Sequence, residues 1–173
     1  MGQEPSRHSR QGPTKKELSY LLKTTSYDRL TIEEWYKVFR KVCGKDSLDS
    51  QKFTNLFQRF FPERISVQYC QHVFRAFNSR GNGEMSFTEF ITAVYVSSQG
   101  SQEEKLRWMF KVYDVNNNGF ITIKDLRQVL SQAGKIEKKT NVDEVWENLD
   151  RDNRGFVTED QFLKICLESG DLV

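Results

Sequence analysis

The sequence predicts an all-α fold of four helix–loop–helix repeats, set as two paired lobes with short antiparallel β-ribbons between the loops. Three observations carry that expectation. First, four segments repeat the i, i+3, i+4, i+7 apolar stripe of an amphipathic helix. They are Ile32, Trp35, Tyr36 and Phe39; Cys70, Val73, Phe74 and Phe77; Leu106, Met109, Phe110 and Tyr113; and Val142, Val145, Trp146 and Leu149. Second, each stripe leads into a polar, mostly glycine-containing stretch and then a further apolar helix, starting at Phe53, Phe90, Leu126 and Phe162. Third, one apolar residue stands alone at a matching place inside every stretch: Leu48, Met85, Ile121 and Val157. One unit cannot bury its own stripe, but two can if the lone residues pair as a ribbon. The expected organisation is a flexible arm and the start of the first helix over residues 1–26, one pair over 27–97 and a second over 98–173.

Composition narrows the function classes. The chain has 173 residues, enough for one ordinary domain or two small lobes. Hydrophobic residues at 37% and charged ones at 29% mark a globular chain rather than a disordered one. No apolar run approaches the roughly 18 residues of a membrane span, and no signal-peptide core follows Met1. Cys43, Cys70 and Cys166 are odd in number and scattered, as expected of reduced cytosolic thiols rather than a disulfide or zinc framework. His8 and His72 are too far apart to form a pair, and His72 reads as an ordinary helix residue. The formal net charge of +2, with no basic stripe among aromatics, excludes a nucleic-acid reader.

The polar stretches carry the chemistry. A calcium-binding EF-hand loop offers oxygens from positions 1, 3, 5, 7, 9 and 12, with glycine at 6 for the turn. Asp114 to Asp125 fits best. Asp114, Asn116 and Asn118 stand at positions 1, 3 and 5, Gly119 turns, Phe120 offers its carbonyl, Thr122 holds a bridging water and Asp125 closes. Only two of these ligands are charged, and aspartate at position 12 reaches less far than glutamate. Binding of Ca²⁺ is therefore expected to be weak, about 10⁻⁵ M or poorer, with Mg²⁺ as a competitor.

The other loops read as empty. In Asp150 to Gln161, Arg154 puts a cation at position 5 and Gln161 a neutral amide at position 12, which costs Coulomb energy as well as ligands. In Asn78 to Glu89, Gly83 and Glu89 are retained, but Asn78 opens the loop and Arg80 holds position 3. The first loop, counted from Phe39 to Phe53, is one residue longer and presents Lys41, Cys43, Lys45 and Lys52 where oxygens belong.

Several segments then resemble a known family. The stretch from Glu34 through Trp35 to Cys43, followed by Phe57 to Pro62, looks like the disabled first hand of the neuronal calcium sensors. The stretches Gln71 to Phe77 and Lys105 to Val115 are similar to the same family. The resemblance implies an inactive first hand with a cysteine in its loop, and a groove for a target. Family members usually have working second and third hands and continue past the fourth hand into another helix, whereas the second loop here lacks ligands and the sequence stops at Val173. A lesser likeness, through Asn82 to Ile91, is to calcineurin B and its homologues.

Two further features suit such a protein. Met1 to Ser6 fits the N-myristoylation pattern, with Gly2 as the acceptor and Ser6 as the hydroxyl residue. Arg7, Arg10, Lys15 and Lys16 follow. One acyl chain binds membranes at only about 10⁴ M⁻¹, and each nearby basic residue adds roughly 1 kcal/mol on an anionic leaflet. A reversible peripheral membrane anchor on a cytoplasmic protein is expected. The first pair is also rich in aromatics: Trp35, Tyr36, Phe39, Phe53, Phe57, Phe60, Phe74, Phe77 and Phe90. Most must be core, yet the set exceeds what two short hands easily hide, so an open groove for an amphipathic target helix is expected. No nucleophile–base pair, phosphate loop or paired-histidine site is visible, so an enzyme is not. The expected function is a calcium-sensor-like regulator of a membrane-associated enzyme, receptor or channel. The alternative is a constitutive calcineurin-B-like subunit with purely structural metal.

Overall fold

The computed structural model describes residues 12–44, 47–60, 66–133 and 141–169. Before the first repeat comes a helix the sequence reading left inside a flexible arm, α1 (Lys15–Thr24). Its start is fixed locally by a capping box: the Thr14 hydroxyl accepts from the Glu17 N–H, and the Glu17 carboxylate accepts from the Thr14 N–H at 2.7 Å. Such a cap contributes about 1 kcal/mol. Its purpose is packing, because Leu18 and Leu21 are buried in the N-terminal core. Lys15 and Lys16 occupy its exposed first turn, while Gly2, Arg7 and Arg10 lie outside the described residues.

The first hand is α2 (Arg29–Cys43), β1 (Ser47–Leu48) and α3 (Ser50–Phe60); the second is α4 (Val67–Phe77), β2 (Met85–Ser86) and α5 (Phe87–Gln99). The third is α6 (Gln102–Tyr113), β3 (Phe120–Ile121) and α7 (Ile123–Gln132). The fourth is α8 (Val142–Leu149), β4 (Val157–Thr158) and α9 (Glu159–Ser169). The ribbons pair as the lone apolar residues required. Leu48 stands opposite Met85 and Ile121 opposite Val157, both antiparallel. All four are buried, so each ribbon pins two loops by side chains that point into the core.

Each lobe has its own core. The N-terminal one gathers Leu21, Ile32, Phe39, Phe53, Phe57, Phe87 and Phe90; the C-terminal one gathers Phe110, Ile121, Leu126, Val129, Val157 and Phe162. Each such side chain, fully buried, contributes about 1.5–3 kcal/mol. Tyr69 and Trp108 pack against both cores, and α4 lies on α6 and α7. The two lobes therefore meet through the second and third hands.

Candidate metal centre and its three degenerate sisters

The loops share a device at their downstream end. Position 9 is the N-cap of the outgoing helix, and position 12 is its third residue, so together they form a capping box. In the third loop the Asp125 carboxylate accepts from the Thr122 N–H at 3.0 Å and the Thr122 hydroxyl at 2.5 Å. In the second, Glu89 accepts from the Ser86 N–H and hydroxyl, both at 2.8 Å. In the fourth, the Gln161 carbonyl accepts from the Thr158 N–H and hydroxyl, both at 3.1 Å. An amide can cap as a carboxylate does, but it carries no charge. That is how a loop keeps its helix while losing its ion.

The upstream turn is equally local. Asp114 accepts from the Asn118 N–H at 3.0 Å and the Gly119 N–H at 2.8 Å. Asp150 does the same with Arg154 at 2.9 Å and Gly155 at 2.8 Å. The turn needs left-handed backbone: Gly119 and Gly155 sit at φ 84° and 80°, and Asn117 and Asn153 at 53° and 52°. Glycine, and next asparagine, adopt that region at least cost.

The third loop is the one that buries two carboxylates. Asp114 and Asp125 are both only 5% exposed, and neither has an ion-pair partner among the described residues. Asn116 donates to Asp125 at 3.1 Å across the loop. Two buried carboxylates facing amide side chains are a donor set for a hard cation, since burying an uncompensated charge is costly. Asp114, Asn116, Asn118, the Phe120 carbonyl, Thr122 and Asp125 are thus the residues that would hold it. Asn116, Asn118 and Phe120 are exposed, which leaves that side of the loop open to water. No cluster of three or more His, Cys, Asp or Glu occurs among the described residues. The donors of this loop are mainly amides and carbonyls.

The sister loops supply cations of their own. In the second, the Glu89 carboxylate accepts from the Ser79 hydroxyl at 2.7 Å and faces the Arg80 guanidinium at 3.4 Å. Its acidity is strengthened by hydrogen bonds from Ser86 and Ser79 and by Arg80, which together outweigh the effect of burial. Asn78, which opens that loop, keeps a buried Oδ1 without a partner. In the fourth, Arg154 lies 3.7 Å from Asp152 and stacks over Phe156 at 4.9 Å, while Gln161 donates to Asp152 at 3.3 Å. In the first, α2 runs through Lys41 and Cys43, so these are helix residues rather than loop positions. Lys52 there donates to the Cys43 carbonyl at 3.2 Å and pairs with Asp49 at 3.8 Å. Lys45 lies outside the described residues.

The aromatic set is placed differently from an open groove. Tyr36, Phe39, Phe53, Phe57, Phe74 and Phe90 are buried within the N-terminal core. The lobe hides them because α1 adds Leu18 and Leu21 to what two hands provide. Phe60 is 38% exposed and stacks on half-buried Trp35 at 4.8 Å. Half-buried Phe77 instead packs on Trp108 at 5.3 Å, between the lobes. Cys43, Cys70 and Cys166 are buried free thiols, and burial pushes Cys70 and Cys166 up to about 11.

Two lobes of ribbon-paired helix–loop–helix units define an EF-hand protein. Family models described as an EF-hand domain pair match residues 44–97 and 103–167, one on each lobe. The chain is similar to S-modulin of Aquarana catesbeiana and to recoverin of Homo sapiens, each 26% identical. Each alignment covers 96% of this chain and 90% of the relative. The match over nearly the whole chain fits a divergent relative of the neuronal calcium sensors. It is a calcium-binding EF-hand regulator of the sensor type and not an enzyme. No helix among the described residues is long and apolar enough to cross a membrane.

Proposed function

We propose that this protein is a lipid-anchored regulatory adaptor that takes one Ca²⁺, weakly, in its third hand. It would hold an amphipathic helix of a membrane-associated target on its N-terminal lobe. The observation that carries this reading is the contrast in charge satisfaction. Asp114 and Asp125 are both buried and form no ion pair among the described residues, whereas Glu89 and Asp152 already pair with Arg80 and Arg154. A divalent ion gains two carboxylates in the third loop and would have to displace a fixed charge in the second and fourth. Ca²⁺ bound there would supply positive charge to offset the two buried carboxylates, and Mg²⁺ would compete because the ligand shell is small.

The target surface is argued from Trp35, Val38 and Phe60, which bring apolar area to the outside of the first hand. The buried rings Tyr36, Phe39, Phe53, Phe57, Phe74 and Phe90 become groove lining only if α2 and α5 part, and Phe77 marks the edge toward the second lobe. Gly2 is the proposed myristoylation site, and Lys15 and Lys16, exposed on α1, belong to the proposed basic anchor. Acyl labelling of wild type against Gly2→Ala tests the anchor.

Calorimetric titration tests the metal. One Ca²⁺ per chain, with a Kd at or above about 10⁻⁵ M and lost in Asp114→Ala, is expected. Two or more ions, or nanomolar binding, would refute the reading. The competing account, a permanent calcineurin-B-like scaffold, draws support from the cations already built into the first, second and fourth loops. Tryptophan emission separates the two, since Trp108 and Trp146 lie on the incoming helices of the third and fourth hands. A sensor changes emission with calcium and a scaffold does not.

A further inference from the structure

The third loop is held from outside its own lobe. Arg75, in the last turn of α4, donates to the Val112 carbonyl at 2.6 Å and to the Asp114 carbonyl at 2.7 Å. Those carbonyls end the incoming helix α6 and open the metal loop. At its other end α4 reaches the outgoing helix: the Ser66 hydroxyl donates to the Gln132 carbonyl, and His72 Nε2 hydrogen-bonds Gln132 Oε1 at 2.9 Å. One helix of the second hand therefore grips both flanking helices of the third. Ion binding in sensor hands works by changing the angle between two such helices. A strut tied to both must resist that change or follow it.

Charge decides which. The Arg75 guanidinium cannot lose its proton at any working pH. It is half-buried, where desolvation disfavours it while Asp114 and Asp125 attract it. It serves the same two carboxylates a divalent ion needs, from a fixed place beside them. An arriving ion repels it at short range and in a partly dry setting, where such repulsion is poorly screened.

We propose that Arg75 is the positioning residue of the third loop and the ion's electrostatic competitor there, so that ion binding loosens the hold of α4 on the third hand. The metal signal then passes to the N-terminal lobe through α4 rather than through that lobe's own loops. By linkage, whatever frees α4 also raises ion affinity at the third loop by the same factor.

This inference rests on the third loop taking the ion, and the experiment separates the two. Full-length wild type, Arg75→Gln and Arg75→Lys are titrated with Ca²⁺, and hydrogen exchange of the α4 amides is followed with and without it. Arg75→Gln, which removes the charge but leaves donors, should bind Ca²⁺ about tenfold more tightly than wild type. Arg75→Lys, which keeps the charge, should stay within about twofold. In wild type the α4 amides should exchange faster once Ca²⁺ binds; in Arg75→Gln they should exchange fast with or without it. If wild type binds Ca²⁺ but Arg75→Gln binds it no better, or α4 exchange in wild type ignores Ca²⁺, the inference is overturned. Absence of Ca²⁺ binding in wild type overturns the metal assignment and this inference with it.

Discussion

The second and third loops follow the same plan and reach opposite electrical states. Both place glycine at position 6 with positive φ, both feed a ribbon residue into the core, and both end in a capping box. The third buries Asp114 and Asp125 with no ion pair to either among the described residues; the second gives Glu89 an arginine and two hydroxyls. The difference teaches that an EF-hand loop does two jobs with one set of residues. Positions 9 and 12 start a helix whatever the charge, while positions 1, 3 and 12 together would hold an ion only where no arginine already pairs with their carboxylates. Degeneration of a hand therefore removes the second job first. The fourth loop shows the same order, since Gln161 still caps and Arg154 occupies the ligand space.

The largest test of this contrast is on the lobe that needs no ion. Phe90→Ala removes a fully buried ring that packs on Trp35, Phe39 and Phe53. It should cost about 3–5 kcal/mol in denaturant unfolding, with or without Ca²⁺. If Ca²⁺ rescued that variant, the N-terminal lobe would be an ion-dependent unit after all.

The next test interchanges the loops. Asn78→Asp with Arg80→Asp gives the second loop free carboxylates at positions 1 and 3 and releases Glu89. Titration should then find a second Ca²⁺ per chain. An unchanged count would show that Arg80 is not what keeps the ion out.

Asp125→Glu lengthens the closing ligand of the third loop while preserving its capping role. It should strengthen Ca²⁺ binding by about tenfold and widen the preference over Mg²⁺, read by competitive titration. Gly155→Ala has open space around the new Cβ but φ of 80°, so it should cost about 1–2 kcal/mol from backbone strain alone.

The smallest effect concerns the seam between the second and third hands. Burial holds His72 below its ordinary value of 6.5 and Arg75 adds to this, while its bond to Gln132 opposes them. The unfolded chain therefore binds the proton more readily than the folded one. This contribution to stability is complete above about pH 6.5 and fades as pH falls through the unfolded value toward the lowered folded one. Chemical denaturation between pH 7.5 and 5 should show that slope in wild type, and a shallower one in His72→Gln.

Much of the fold was legible because its signals are local. The stripe in Ile32, Trp35, Tyr36 and Phe39 has helical period, and Leu48, Met85, Ile121 and Val157 recur at one matching place in otherwise mostly polar loops. The candidate ligands of each loop are a local reading too, since twelve consecutive residues would supply them. The extent of α1 was less legible, since residues 1–26 were expected to hold a flexible arm and only the start of a first helix. Its justification lies in Leu18 and Leu21, whose burial depends on α5, far along the chain. The burial of most of the aromatic set was not legible either: α1 adds Leu18 and Leu21 to the core that holds those rings.

What the sequence determined by itself is the number of hands and the loop richest in candidate ligands, each set within a dozen neighbouring residues. The tertiary structure decided the partners of those charges. Arg80 could have pointed to water, and Arg75, a plain helix residue by sequence, reaches carbonyls nearly forty positions away. Charge and hydrogen bonding act through space, and only the packed lobes bring those groups within reach.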